Sequence, residues 1–367
     1  ALPREVPAPS HPAPEPPERG RRRRGLWMAL AAVLLSPLLA ALVAVEGGDE
    51  ESGHAPRAAA SRARLTPHER PAARGRPAAR PVRSPTVVAT IPIGRSADGL
   101  AYAGGEVWVA DPRDRALVRV GARTDRVTGR AHAGADPDSV AAGGGVAWIT
   151  TRGDGYLRRF TDHGRPTSAG VRNVGAKPEG VALGPRLAWV VSSVDDTVTR
   201  VDRASGAAVG RPIRVGAQPI DVAVGRSGVW TANSADGTVS HVDASTGRAV
   251  GGAIRVGREP KGVVEGLGSV WVANNGDDTV ARIDPRTGRV TATIAVGHEP
   301  SKLVVAAGSV WVTNFGDGTV SRIDASSGRV VGRTVAVGRR PVGIAFGAGH
   351  LWVASLSDGT VAKIRLP

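Results

Sequence analysis

The sequence predicts an all-β protein, a seven-bladed β-propeller of four-stranded blades preceded by one transmembrane helix and a disordered linker. Three observations carry this. Seven tryptophans, Trp108, Trp148, Trp189, Trp230, Trp271, Trp311 and Trp352, recur every 40 or 41 residues. Each copy divides at glycines and turn residues into short runs rich in valine and isoleucine, with no competing helical period. A period near 40 built of strands marks a unit that cannot bury its own faces and must pack around an axis.

The copy from Val296 to Val337 shows the unit most plainly: KLVVAA, SVWVTN, TVSRID and VVGRTVAV, joined by AG, FGDG and ASSG. These joints supply positive φ or an Asx hydrogen bond. Residues 86–367 hold just under seven such units. The chain ends on the third-strand run TVAKIRLP, while Thr86 to Ile93, TVVATIPI, has the fourth-strand pattern. The first strand is therefore expected to complete the last blade and remove the free sheet edges. Blade two departs most, with WITT at Trp148 to Thr151 and an irregular stretch over 156–172.

Upstream, residues 1–25 read as a disordered, basic, proline-rich cytoplasmic tail ending in the run Arg21 to Arg24. Leu26 to Val45 is 20 residues without a charge, long enough as a helix to cross a hydrocarbon core of roughly 30 Å. Arginines before it and Glu46, Asp49, Glu50 and Glu51 after it orient the N-terminus inside and the propeller outside. The length of the run, with no small-x-small cleavage site after it, favours a retained signal anchor; secretion after cleavage is the alternative. Residues 46–85, rich in alanine, arginine and proline, read as a disordered linker with an extended reach of up to roughly 120 Å.

The chain has no cysteine, which excludes a lipid-anchored cysteine, disulfides and thiolate metal sites. Its net charge is +15, of which residues 1–85 carry +6. Only four of 48 basic residues are lysines, so the arginine count reflects a general arginine bias and argues little for nucleic acid. Anionic wall polymers remain a candidate partner.

Seven internal copies allow a comparison within one chain. A residue present in every blade answers a need common to all of them. Asp114, Asp154, Asp195, Asp236, Asp277, Asp317 and Asp358 share one repeat position before the third strand, and are read as turn caps rather than a calcium ring, because no clustered oxygen spacing accompanies them. The tryptophans are read as wedges between blades rather than base-stacking platforms.

Function is expected where the blades differ, in the connections from each fourth strand to the next first strand. These positions read Arg95, Ser96 and Asp98; Asp136, Asp138 and Ser139; Lys177 and Glu179; Gln218 and Asp221; Arg258, Glu259 and Lys261; His298, Glu299 and Lys302; Arg339 and Arg340. They surround one mouth of the central channel. Among them Glu259, Lys261, His298, Glu299 and Lys302, with Glu179 and Arg340, are the candidate ligand-binding set, since blades five and six bring together a histidine and two carboxylates. Such a group can transfer protons or hold a metal; a solvated rim of ion pairs is the competing reading.

The blade pattern VG-x-x-P, VWV(T/A)N, DGTV-x-RID, TGRV resembles the YVTN family of bacterial β-propeller repeats, including YncE-like proteins. The likeness is strongest at VWVTN, Val310 to Asn314, and GTVSRID, Gly318 to Asp324. It implies an extracytoplasmic binding or scaffold protein without a cofactor, acting on a protein, a wall polymer or a small molecule, with a monomeric propeller. A second likeness, to virginiamycin B lyase, is one of architecture. That family's E-x-H metal pattern has no counterpart, the nearest being the adjacent His298 and Glu299, and a divalent metal enters only under this metal-dependent lyase or hydrolase alternative. Kinase, Walker and serine-hydrolase motifs are absent. The chain begins with Ala1, which leaves a third reading, the sensor domain of a larger membrane receptor such as a kinase.

Overall fold

The computed structural model describes residues 84–161 and 174–367. The expected tail, apolar span and nearly all of the linker lie outside the described residues. Among the described residues, no helix is long and apolar enough to cross a membrane.

Seven antiparallel sheets follow one another in sequence order. Blade five is the regular case: Pro260–Gly266, Ser269–Asn274, Thr279–Asp284 and Arg289–Ala295 pair in succession from the axis outward. The first strand of each blade packs against the first strands of both neighbours, and blade seven packs against blade one, so the ring closes around a channel. Blade two contributes Pro137–Ala142, Val146–Thr151 and Tyr156–Thr161, so the start of the stretch expected to be irregular is a third strand in unbroken register with the second; residues 162–173 lie outside the described residues.

Closure occurs as the strand pattern predicts. Thr86–Pro92 pairs antiparallel with Thr360–Arg365, from Thr86 opposite Arg365 to Pro92 opposite Thr360, and Ile93 N–H donates to the Gly359 carbonyl at 2.8 Å. Ile91 and Ile93 are buried. Lys363 of blade seven adds a cross-tie, its Nζ donating to the Ala122 carbonyl at 2.9 Å and to Asp125 at 2.8 Å in blade one.

The fourth strands differ from expectation in one respect. VVGRTVAV is not continuous in blade six but splits into Arg329–Val330 and Val335–Ala336, and blades three and four keep only Ile213–Arg214 and Ile254–Arg255. The interruption falls at Gly332, Gly251 and Gly210, whose φ lies between 67° and 76°. Blade five has Thr291-Ala292-Thr293 there and stays continuous, with a register shift at Thr291.

All seven tryptophans are at most 3% exposed. Each belongs to the core cluster that joins its blade to the next: Trp271 packs with Leu303, Val310 and Val312 of blade six, and Trp352 of blade seven packs with Leu100, Val107 and Val109 of blade one. In six blades the residue opposite the indole on the third strand caps it: Arg119, Arg159, Arg282, Arg322 and Lys363 lie 5.1 to 5.7 Å from the ring centroids, and His241 stacks on Trp230 at 3.9 Å. An aromatic face over which a cation sits gains both dispersion and charge–quadrupole attraction.

The seven repeated aspartates do more than cap their own turns. Each carboxylate accepts the backbone N–H of the residue 19 positions earlier, at 2.6 to 3.2 Å, from Arg95 N–H on Asp114 to Arg339 N–H on Asp358. That residue lies in the connection entering the same blade. The acid therefore staples the variable connection to the repeated loop, which is why it recurs in every blade.

Candidate functional site

The channel wall is set by two adjacent positions at the start of each first strand, which in blade one stand just before it. Immediately after the entry residue, usually proline, stand Asp98, Asp138, Glu179, Ile220, Lys261, Ser301 and Val342, and all seven line a cavity of roughly 530 Å³. The next position is glycine in blades one, three, five and seven, because neighbouring first strands approach closely there. A Cβ at Gly262 would collide with the Ser301 carbonyl, and one at Gly343 would lie 2.5 Å from the Asp98 carbonyl oxygen. Blades four and six place Asp221 and Lys302 at this position, and the two form an ion pair at 2.8 Å. Asp221 also accepts the Val263 N–H at 3.0 Å, which fixes its orientation.

Just before each first-strand proline, Asp136, Lys177, Gln218, Glu259, Glu299 and Arg340 all adopt φ between 49° and 54°. This left-handed geometry is sterically costly for residues with a Cβ. Its carbonyl is held in each blade by an N–H from the loop after the second strand, as in Asn275 to Glu259 at 3.1 Å and Phe315 to Glu299 at 3.0 Å.

The candidates fall into two groups. Glu179, Lys261, Glu299 and Lys302 line the one cavity. Glu259 instead lines a groove with Arg258, Asp236 and Asp277. His298 is largely exposed, with Nδ1 3.1 Å from the Asp278 carboxylate, whose hydrogen bond and charge hold the imidazole pKa up. Arg340 lies over the Phe315 ring at 5.5 Å, and Phe315 itself lines the cavity. Glu259, His298 and Glu299 therefore do not share one pocket, and among the described residues no group of three or more His, Asp or Glu side chains gathers as a metal site.

The strongest electrostatics lie in blades one to three, which the candidate set represents only by Glu179. Arg152 sits just past the second strand of blade two and reaches three carboxylates: Asp136 at 3.1 Å, Asp138 at 3.4 Å and Glu179 at 3.5 Å. Burial alone would lower its pKa, but Asp138, Asp136 and Glu179 outweigh it and raise it. Glu179 also accepts Ser193 Oγ–H at 3.2 Å and lies 3.6 Å from Lys177. Lys302 behaves like Arg152, with burial outweighed by Asp221 and the more distant Asp138 and Asp98.

Asp98 stands apart. It is 7% exposed and its carboxylate, among the described residues, takes part in no hydrogen bond or ion pair. Burial first, and then repulsion from Asp138, push its pKa up to about 8, against the opposing charges of Arg152 and Lys302. Asp138 is raised as well, chiefly by burial, with Arg152 opposing.

A pH dependence follows. An acid whose folded pKa lies above its unfolded value near 3.8 favours the folded state fully below that value, and the advantage is lost as pH rises towards about 8. The groups facing Asp98 are Asp136, Asp138, Arg152 and Lys302. Asp98→Asn is expected to be more stable than the parent near pH 8, on the order of a few kcal/mol, with the difference shrinking towards pH 4. Urea denaturation across that range reads it; parallel stability curves for the two proteins would contradict the assignment.

The missed residues were partly legible. Asp98, Asp138 and Asp221 stand among the variable positions, but the one histidine there lies in blade six, away from these acids in the chain. Arg152 had a weaker signal: other blades carry Pro112, Ser193, Ser234, Asn275, Phe315 or Leu356 at that repeat position.

No protein-family model matches the chain, and no curated protein matches it in sequence. Solved structures do. Virginiamycin B lyase from Staphylococcus aureus superposes with a TM-score of 0.67 at 15% identity, covering 76% of this chain and 99% of that one. Kuenenia stuttgartiensis hydrazine synthase gives 0.67 at 16% identity, covering 74% and 96%. The computationally designed Ika8 protein gives 0.58 at 13%, covering 77% and 100%. The fold is that of a seven-bladed β-propeller. At these identities the likeness concerns the fold alone.

Proposed function

We propose that this protein is a recognition module that binds a small polar ligand, or the polar tip of a larger partner, in the mouth of the propeller channel. The observation that carries the reading is the roughly 530 Å³ cavity whose lining includes four carboxylates, Asp98, Asp138, Glu179 and Glu299, and four cations, Arg152, Lys177, Lys261 and Lys302. Concave sites with a few convergent polar groups are the usual places of ligand capture. Apolar side chains of Ile220, Phe315, Val342 and Leu356 line the same space.

The setting we propose for it is the cell surface. The charge asymmetry around Leu26 to Val45 supports a bacterial membrane anchor with the propeller outside, and the YVTN-like residue pattern supports an extracytoplasmic binding or scaffold role. The lyase alternative has less support, because Glu259 and His298 are not on the lining of the cavity that Glu299 faces.

A thermal-shift panel of polar metabolites and divalent metals, with and without chelator, tests the reading on the full chain, since a ligand that binds only the folded state raises its melting temperature. Saturable shifts that vanish in Lys261→Ala or Glu299→Gln are expected. Shifts that persist unchanged in both variants would place binding elsewhere. A metal shift abolished by His298→Ala would favour the lyase alternative instead.

A further inference from the structure

We propose that the channel mouth recognises its ligand through an alkylammonium group seated against the Asp98 and Asp138 carboxylates, a refinement that rests on the recognition reading above. Of the first-strand carboxylates, three have cationic partners: Asp138 and Glu179 on Arg152 at 3.4 and 3.5 Å, and Asp221 on Lys302 at 2.8 Å. Asp98, 7% exposed on the same cavity wall, has none among the described residues. A largely buried carboxylate that faces a cavity and finds no donor in the protein marks a place where an outside group completes the set.

The two cations that act on Asp98 from a distance are already committed. Arg152 hydrogen-bonds Asp136 through two nitrogens, at 3.1 and 3.2 Å, and Lys302 is held by Asp221. What remains is room for a donor-only cation that holds Asp98 ionised beside Asp138, its charge offsetting the repulsion between the two carboxylates.

A divalent metal does not suit the site, since it requires several convergent oxygens and no such group of three assembles among the described residues. An ammonium suits it better. Its compact head carries three donors that two carboxylates from different strands can share, whereas a planar guanidinium matches one carboxylate edge. Ile220, Phe315, Val342 and Leu356 offer the alkyl stem an apolar surface.

Isothermal titration of the full chain with butylamine, and with butanol as its uncharged counterpart, tests the proposal. Butylamine is expected to bind saturably and butanol not, and Asp98→Asn is expected to weaken butylamine about tenfold or more, the loss of a charge-assisted hydrogen bond. Putrescine and γ-aminobutyrate separate the sources: tighter putrescine indicates a polyamine, and tighter γ-aminobutyrate that is lost in Lys261→Ala indicates an amino acid. Equal binding of butanol, or full butylamine affinity in a folded Asp98→Asn variant, would overturn the proposal. If no amine binds while other compounds still give Lys261-dependent thermal shifts, the ammonium inference falls and the recognition reading stands.

Discussion

Deleting Thr86–Ile93 is expected to destabilise the propeller by about 5 kcal/mol or more, the largest effect of any change of similar size. The segment carries no candidate site residue, so its whole contribution is architectural. It supplies the outermost strand of blade seven, and its removal exposes the Thr360–Arg365 edge along its length. Ile91 and Ile93, 4% and 2% exposed, would lose their burial, at roughly 2 kcal/mol each. The lost ladder hydrogen bonds add about 1 kcal/mol apiece. Domains of this kind have net stabilities of roughly 5 to 15 kcal/mol, so the truncated chain is expected to unfold far earlier in urea and to aggregate through its unpaired edge. Urea denaturation with size-exclusion chromatography reads both effects. A truncated chain that stays monomeric with an unchanged melting temperature would show that the blades hold the ring without this seam.

The second large effect is expected at the tryptophan wedge. Trp271→Ala should cost about 3 to 5 kcal/mol, the range for truncating a large buried aromatic. Trp271 is fully buried between blades five and six, with Ile294, Leu303, Val310, Val312 and Ile323 around it. Its Nε1–H donates to the Gly266 carbonyl at 3.2 Å and Arg282 lies 5.2 Å above its ring. The substitution opens a cavity across an interblade seam, where the facing sheets cannot collapse without moving the ring. Lys261→Ala, on the same blade but facing the channel without an ion-pair partner among the described residues, should change stability by less than about 0.5 kcal/mol. The contrast separates scaffold from site. A loss below about 1 kcal/mol in Trp271→Ala would mean that the indole fills space without holding neighbouring blades together.

Much of the fold was legible because its determinants are local and repeated. An indole every 40 or 41 residues, glycine and aspartate at turn positions, and alternating valines specify a strand unit that needs neighbours, and repetition multiplies the signal sevenfold. Even the closure was readable, since TVVATIPI carries a fourth-strand pattern with no preceding third strand to pair with. The broken outer strands of blades three, four and six were harder to read. There one extra residue and a glycine with positive φ interrupt a run that looks continuous by composition.

The candidate site was legible only to the level of a rim. The sequence identifies the variable connections, and the fold gathers most of their charges at one channel mouth. Which of those charges meet depends on geometry that crosses blades. Glu259 and Glu299 occupy the same repeat position with nearly the same φ, yet only Glu299 reaches the cavity. Asp221 and Lys302, 81 positions apart, pair across blade five because Gly262 between them presents no side chain. The sequence by itself determined the number of blades, the tryptophans that wedge them and the strand that closes the ring, because each of these acts within one repeat or between neighbours. Only the tertiary structure decided that Arg152 gathers three carboxylates while Asp98 faces the cavity with no partner among the described residues. Charge pairing and burial in the channel depend on distances between strands far apart in the chain, and no local pattern encodes those distances.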